Sequence, residues 1–184
     1  DVYTNHIHAD DLARACVAAL WRGLPQRVVN VCDDSTLTMG DHFDAVADHR
    51  FTVLNLPTAF WHVLVDDMAR NSRTLPTDIR LVVVGGEQIS PRALATWKRI
   101  APGPRWLNGY GPTETTITCA LHEPGPMPPG EDIPIGRPTA HALACVLAAD
   151  GALAPMGAVD DLWIGGLAVS DGYIGREDET AAAF

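Results

Sequence analysis

The sequence predicts an α/β fold with a largely parallel sheet, followed by a small β-rich tail. Three observations carry this. Apolar runs of strand length precede helical patterns at residues 52–56 and 79–84. Pro57 and the Ser90-Pro91 pair sit where helices would start after those runs. Past Leu121 the helical periodicity gives way to prolines and short strand patterns. Strand–helix units in succession pack in layers around a mostly parallel sheet.

The first 48 residues read as helix, strand, helix. Asp10 or Asp11 can cap a helix to about Trp21, with Leu12, Ala15, Cys16, Ala19 and Leu20 on one face and Gly23 as its stop. Residues 28–31 form a short strand, residues 33–35 a turn, and Thr38 can cap a helix to about Asp48. A new pattern starts at His49. Residues 52–56 read as a buried strand, and Pro57 opens a helix carrying Phe60, Trp61, Leu64, Val65 and Met68. Residues 79–84 form the next strand, closed by Gly85-Gly86, and Ser90 caps a helix to about Ile100. Arg105, Trp106 and Leu107 make a short strand leading into a Gly-rich loop over 108–116. Pro124, Pro126, Pro128, Pro129 and Pro134 make residues 124–134 an extended surface connection. Short strands follow at 142–147 and 162–164, with Asp150-Gly151 as a hairpin-type turn between them. The expected division is 1–48 and 49–184. Within the second, 49–123 is the α/β part and 124–184 the Pro-rich connection and β-rich part.

Composition narrows the function. The 184 residues carry 13 Lys plus Arg against 23 Asp plus Glu, a formal net charge of −10. That balance disfavours a phosphate backbone, so no nucleic-acid partner is expected. A single nucleotide remains accessible through backbone N–H groups. No apolar run reaches the ~18–20 residues needed to cross a bilayer. No secretion signal opens the chain. The reading is a cytoplasmic protein without a membrane partner. Cys16, Cys32, Cys119 and Cys145 are far apart with no CxxC pair, which suits reduced thiols rather than zinc or a redox dithiol. His6, His8 and Asp10 alternate, but without a distant fourth ligand they read as a capped helix start.

The chemistry concentrates in Asn108-Gly109-Tyr110-Gly111-Pro112-Thr113-Glu114-Thr115-Thr116. Gly109 and Gly111 let backbone come close to a ligand. Tyr110 offers a flat face to a base and Asn108 an amide for a base edge. Thr113, Thr115 and Thr116 offer hydroxyls to phosphate oxygens. Glu114 is the hard carboxylate that a nucleotide-bound magnesium accepts. A polar Gly-Pro turn after a strand fits the same residue types.

This nine-residue stretch resembles the nucleotide-binding motif of adenylate-forming enzymes, specifically the adenylation domains of nonribosomal peptide synthetases. Four further stretches agree in order and spacing. They are Asn55-Leu56-Pro57-Thr58, the run 81–87 ending Gly85-Gly86-Glu87, Ile133-Pro134-Ile135-Gly136-Arg137-Pro138, and Leu162-Trp163-Ile164-Gly165-Gly166 with Gly172-Tyr173. The resemblance covers residues 49–184 and implies a partial adenylate-forming N-terminal domain. It implies that Asn108 and Tyr110 hold adenine, that Gly86, Glu87 and Gly111 line the same site, that Thr113 meets the α-phosphate and that Glu114 binds Mg2+. It also implies a pocket for the substrate side chain lined by Asn55, Val83, Gly85, Gly109, Ile117 and Thr118; Val83 and Ile117 equally suit core packing. The implied reaction joins a carboxylate, expected to be an amino acid, to ATP, giving an acyl-adenylate and pyrophosphate. The acyl group then passes to the phosphopantetheine thiol of a carrier protein.

Other parts of that family pattern are not found in the 184 residues: the Gly/Ser/Thr-rich phosphate loop with its Lys, the amine-holding Asp, the ribose-binding Asp and the lysine-bearing C-terminal domain. Asp160-Asp161-Leu162 stands where the family has Gly-Glu-Leu, and Ser170-Asp171 where it has Ala-Arg. These residues by themselves are therefore expected not to catalyse adenylation. Residues 6–13 and 29–34 resemble the C-terminal portion of extended short-chain dehydrogenases of the NAD-dependent epimerase type, without that family's GxxGxxG loop or Tyr-Lys pair. The two halves meet near residues 45–51 without a Pro/Gly-rich linker, the pattern expected if pieces of two neighbouring genes were joined. The remaining readings are an NAD-dependent remnant or a non-catalytic nucleotide-binding module.

Overall fold

A computed structural model describes residues 3–4, 37–38, 50–128 and 130–184. The chain divides into two compact units, Asp1–Phe51 and Thr52–Phe184. In the first, β1 (Tyr3–Thr4) pairs antiparallel with β2 (Leu37–Thr38). The two helices and the strand expected before residue 49, the His6/His8 pair, Cys16 and Cys32 lie outside the described residues.

The second unit is built on a five-stranded sheet in the order β3 (Val53–Pro57), β4 (Leu81–Gly85), β5 (Arg105–Tyr110), β6 (Ala120–His122), β7 (Arg137–Pro138). The first three strands are parallel. Each parallel step needs a long crossover, supplied by α1 (Thr58–Asn71) and α2 (Pro91–Ile100). Pro57 leads into α1, which stops where Ser72 turns left-handed and its N–H bonds Met68. The Ser90 hydroxyl accepts the Ala93 N–H at 3.4 Å, and Pro91 opens α2.

Side-chain alternation gives the sheet two different faces. Val82 and Val84 are fully buried toward the helices, in register with Trp106 and Asn108. Trp61 of α1 stands 5.9 Å from Trp97 of α2 and 5.3 Å from Trp106, centroid to centroid. These three rings, all buried, weld both helices to the sheet. The opposite face carries the row Asn55, Val83, Leu107 and beside it Gly85 with Gly109.

The sheet is mostly parallel, as expected: β3–β5 run parallel, and the short β6 and β7 add on antiparallel. One expectation is corrected. The expected loop from residue 108 begins later, because Asn108, Gly109 and Tyr110 continue β5. All three pair with Ala120–His122, and Asn108 and Gly109 pair with β4 as well, so that this two-sided ladder outweighs the turn preference of an Asn-Gly pair. The tail holds β8 (Ala142–Leu147) antiparallel to β9 (Asp161–Gly166), then α3 (Glu177–Ala183), which periodicity did not indicate. Asp150-Gly151 does form a turn, with the Asp150 carboxylate accepting the Ala152 N–H at 3.0 Å. That turn returns the chain to a bridge at Leu153 rather than directly to β9.

Candidate functional site

Ligands of open α/β sheets bind beyond the carboxyl ends of the parallel strands. The loops that leave β4 and β5 there enclose a cleft of about 500 Å3. Gly86, Glu87, Gln88 and Ile89 line it from the β4 side, and Asn108 to Pro112 from the β5 side. Ile133 and Ile135 close it from the Pro-rich connection. The structure thus brings Gly86, Glu87, Asn108, Tyr110 and Gly111 to one cleft. Gln88 and Ile89 were not singled out from sequence, whereas Pro112, Ile133 and Ile135 belong to the stretches that carry the family resemblance and are now seen to line the cleft.

The cleft walls are tied down. The Thr58 hydroxyl donates to the Glu87 carbonyl at 3.2 Å, and the Ser90 N–H donates to His62 Nε2 at 3.2 Å. The Gln88 amide donates to the Asp132 carboxylate at 3.0 Å, joining the β4 loop to the Pro-rich connection. The Asn108 amide, itself buried, donates to the Pro134 carbonyl at 2.9 Å. That bond fixes the orientation of the amide against the cleft. Lys98 Nζ donates to the carbonyls of Pro124 at 3.0 Å and Gly125 at 2.8 Å, anchoring the start of the same connection.

The residues read as a side-chain pocket gather on the sheet face away from the helices. Asn55 and Val83 are direct register partners, as are Gly85 and Gly109. A Cβ on Gly109 would lie 3.3 Å from Val83 Cγ1 and 3.7 Å from Thr118 Cγ2, so these three meet at one point. A Cβ on Gly85 would strike the Gly109 carbonyl oxygen, which makes glycine obligatory there. Ile117 stands apart. It is 72% exposed with φ of 72°, a conformation β-branched residues rarely adopt, so it is not a core residue.

Thr113 and Glu114 follow Pro112 in a 3-10 turn, Thr113–Thr115, just past the lining residues. Two of the threonines offered for phosphate are otherwise engaged. The buried Thr115 hydroxyl donates to the Pro112 carbonyl at 3.0 Å, and the Thr116 hydroxyl to the Ala168 carbonyl at 2.7 Å. The Thr113 side chain is exposed. The Glu114 carboxylate accepts the Tyr173 hydroxyl. That bond first, and a backbone hydrogen bond after it, hold Glu114 below the usual carboxylate range; the same bond holds the Tyr173 phenol above its usual range. Among the described residues no group of three or more His, Cys, Asp or Glu could hold a metal. A single carboxylate beside a cleft could give one ligand to a magnesium that keeps most of its waters.

The sequence pattern of the AMP-binding enzyme family matches residues 11–174. That match reaches into the segment read as dehydrogenase-like. The chain is 39% identical over 156 residues to the isonitrile lipopeptide synthase of Streptomyces coeruleorubidus, covering 83% of this chain and 10% of that protein. Its fold is similar to the NpsA N-terminal subdomain of Klebsiella oxytoca in complex with 3-hydroxybenzoyl-AMSN, with a TM-score of 0.70 at 20% identity over 82% of this chain and 38% of that one. It is similar also to holo-PA1221, an NRPS protein containing adenylation and PCP domains, with a TM-score of 0.71 at 24% identity over 83% of this chain and 26% of that one. The chain therefore spans a minor share of the length of the relatives it matches. No helix among the described residues is long and apolar enough to cross a membrane. The chain belongs to the AMP-binding enzyme family, and it matches the adenylation region of nonribosomal peptide synthetases.

Proposed function

We propose that this chain supplies the adenine cleft, and one wall of the acyl pocket, of an enzyme that activates an amino acid or a similar carboxylate with ATP. The observation that carries this is the convergence of Gly86, Glu87, Asn108, Tyr110 and Gly111 on one cleft at the carboxyl ends of parallel strands. Adenine would stack on Tyr110 and meet the Asn108 amide and the backbone at Gly86 and Glu87. Thr113 would reach the α-phosphate. The substrate side chain would lie against Asn55, Val83, Gly85, Gly109, Ile117 and Thr118. In the reaction a carboxylate oxygen attacks the α-phosphorus of ATP and pyrophosphate leaves. The acyl group then passes to a carrier-protein phosphopantetheine thiol, with AMP as the leaving group. Mg2+ held at Glu114 would neutralise phosphate charge as it develops. The residues of this chain would bind the base, orient the α-phosphate and exclude water from the acyl side.

For residues 1–48 the proposal is a separate unit of dehydrogenase-like origin. The division at Phe51 supports a separate unit. The family match beginning at residue 11 pulls the other way. Titration with a non-hydrolysable ATP analogue plus Mg2+, and separately with NAD, tests both readings. The adenylation reading requires ATP-analogue binding that Glu114→Ala weakens in the presence of Mg2+. Saturable NAD binding without ATP-analogue binding would overturn it in favour of the oxidoreductase remnant.

A further inference from the structure

We propose that Tyr173, in the tail, is a positioning residue that fixes the Glu114 carboxylate for its metal; this rests on the reading of Glu114 as the Mg2+ ligand.

The tail segment 168–173 grips the 113–116 turn at three points. The Ala168 carbonyl accepts the Thr116 hydroxyl at 2.7 Å. The Ser170 N–H donates to the Glu114 carbonyl at 2.8 Å. The Tyr173 hydroxyl donates to Glu114 Oε1. Main chain and side chain of one residue are thus held from one segment, so the contact sets both the place of the turn and the rotamer of its carboxylate.

Tyr173 is itself built into position. Its N–H donates to the Thr180 hydroxyl of α3 at 2.9 Å. Its ring meets Phe184 edge to face at 5.8 Å. The preceding Gly172 has φ of 123°, and a Cβ there would collide with the Thr180 side chain. Only glycine lets the chain approach α3 closely enough to aim the phenol at Glu114. Donation to Oε1 leaves the lone pairs of Oε2 for a cation. A carboxylate held by a hydrogen bond binds metal with less loss of rotamer freedom than a loose one.

The test is Mn2+ binding, read by electron paramagnetic resonance in the presence of AMP, together with metal-free AMP binding. The subjects are the 184-residue chain, Tyr173→Phe, Glu114→Gln and the double variant. Tyr173→Phe keeps the ring against Phe184 and removes only the donor. It is expected to weaken Mn2+ binding by about tenfold while leaving metal-free AMP affinity and the melting temperature unchanged. In the Glu114→Gln background the same change is expected to have no further effect. Unchanged Mn2+ affinity in Tyr173→Phe alongside a loss in Glu114→Gln would overturn the positioning role alone. Unchanged affinity in Glu114→Gln would overturn the metal reading of Glu114 and the proposal with it. Equal losses of metal and metal-free AMP binding in Tyr173→Phe would show a merely structural contact and also overturn the proposal.

Discussion

Gly111→Ala should damage the cleft, whereas Gly109→Ala, two residues earlier, should not. A Cβ on Gly111 would stand 2.5 Å from the Ile117 carbonyl oxygen, 2.8 Å from the Cys119 nitrogen and 3.0 Å from the Ile117 carbonyl carbon. All three are backbone atoms, so no rotamer change can relieve the overlap. The segment they belong to is already constrained. Thr116 and Ile117 both have positive φ, and the Cys119 N–H donates to the Tyr110 carbonyl at 2.9 Å. Relief therefore requires the backbone after the 3-10 turn to move by about half an ångström. Overpacking of this kind costs roughly 1–3 kcal/mol. For a unit of this size that is a fall in melting temperature of about 3–10 °C. The displaced wall includes Tyr110, so AMP affinity should fall by about tenfold. At Gly109 the nearest atom is a valine methyl, Val83 Cγ1 at 3.3 Å, which can give a few tenths of an ångström. That small strain is offset by the ~0.4–1 kcal/mol gained when alanine stiffens the unfolded chain. Thermal melts and AMP titrations of both variants decide it. A Gly111→Ala chain that melts with the wild type, or a Gly109→Ala chain that is the less stable of the two, would refute the reasoning.

Three other outcomes follow from the packing and the charges. Trp61→Ala removes the ring shared by α1, α2 and β5 and should cost ~3–5 kcal/mol, measured by urea unfolding. Lys98→Met keeps the apolar stem but frees the Pro124 and Gly125 carbonyls; amide exchange should quicken at Gly125 and Met127, the non-proline residues of this stretch, while global stability falls by less than ~1 kcal/mol. Glu123 is held below its ordinary 4.5 by the hydrogen bonds from Arg105, at 3.0 and 2.6 Å, so its share of stability is present above pH 4.5 and lost as pH falls through the depressed value. Arg105→Gln should remove that acid-side loss, read as a melting temperature that no longer drops more steeply than expected below pH 4.5.

The sequence was most legible where local chemistry and packing agree. Ser90-Pro91 marked the start of α2, and the spacing of Trp61, Leu64, Val65 and Met68 marked the buried face of α1. The glycines of the 108–116 stretch misled in a specific way. Gly109 looks like a turn residue but is a strand residue whose missing side chain makes room for Val83 and Thr118. Strands β6 and β7 were too short to show a period, and they exist because β5 offers them an open edge. Within the site, the loops around Gly86 and Tyr110 could be paired only by family likeness, since 24 residues separate them and only the register of β4 with β5 brings them together. The Glu114–Tyr173 contact was not legible at all, because it spans 59 residues and depends on the glycine geometry at 172.

The most direct test of the central claim is calorimetric titration of AMP into the wild-type chain and into Tyr110→Ala. The account predicts saturable binding by the wild type and a loss of about tenfold or more in Tyr110→Ala, the scale of one base–aromatic stack. Equal AMP affinity in the two proteins, or no AMP binding by a folded wild-type chain, would contradict it.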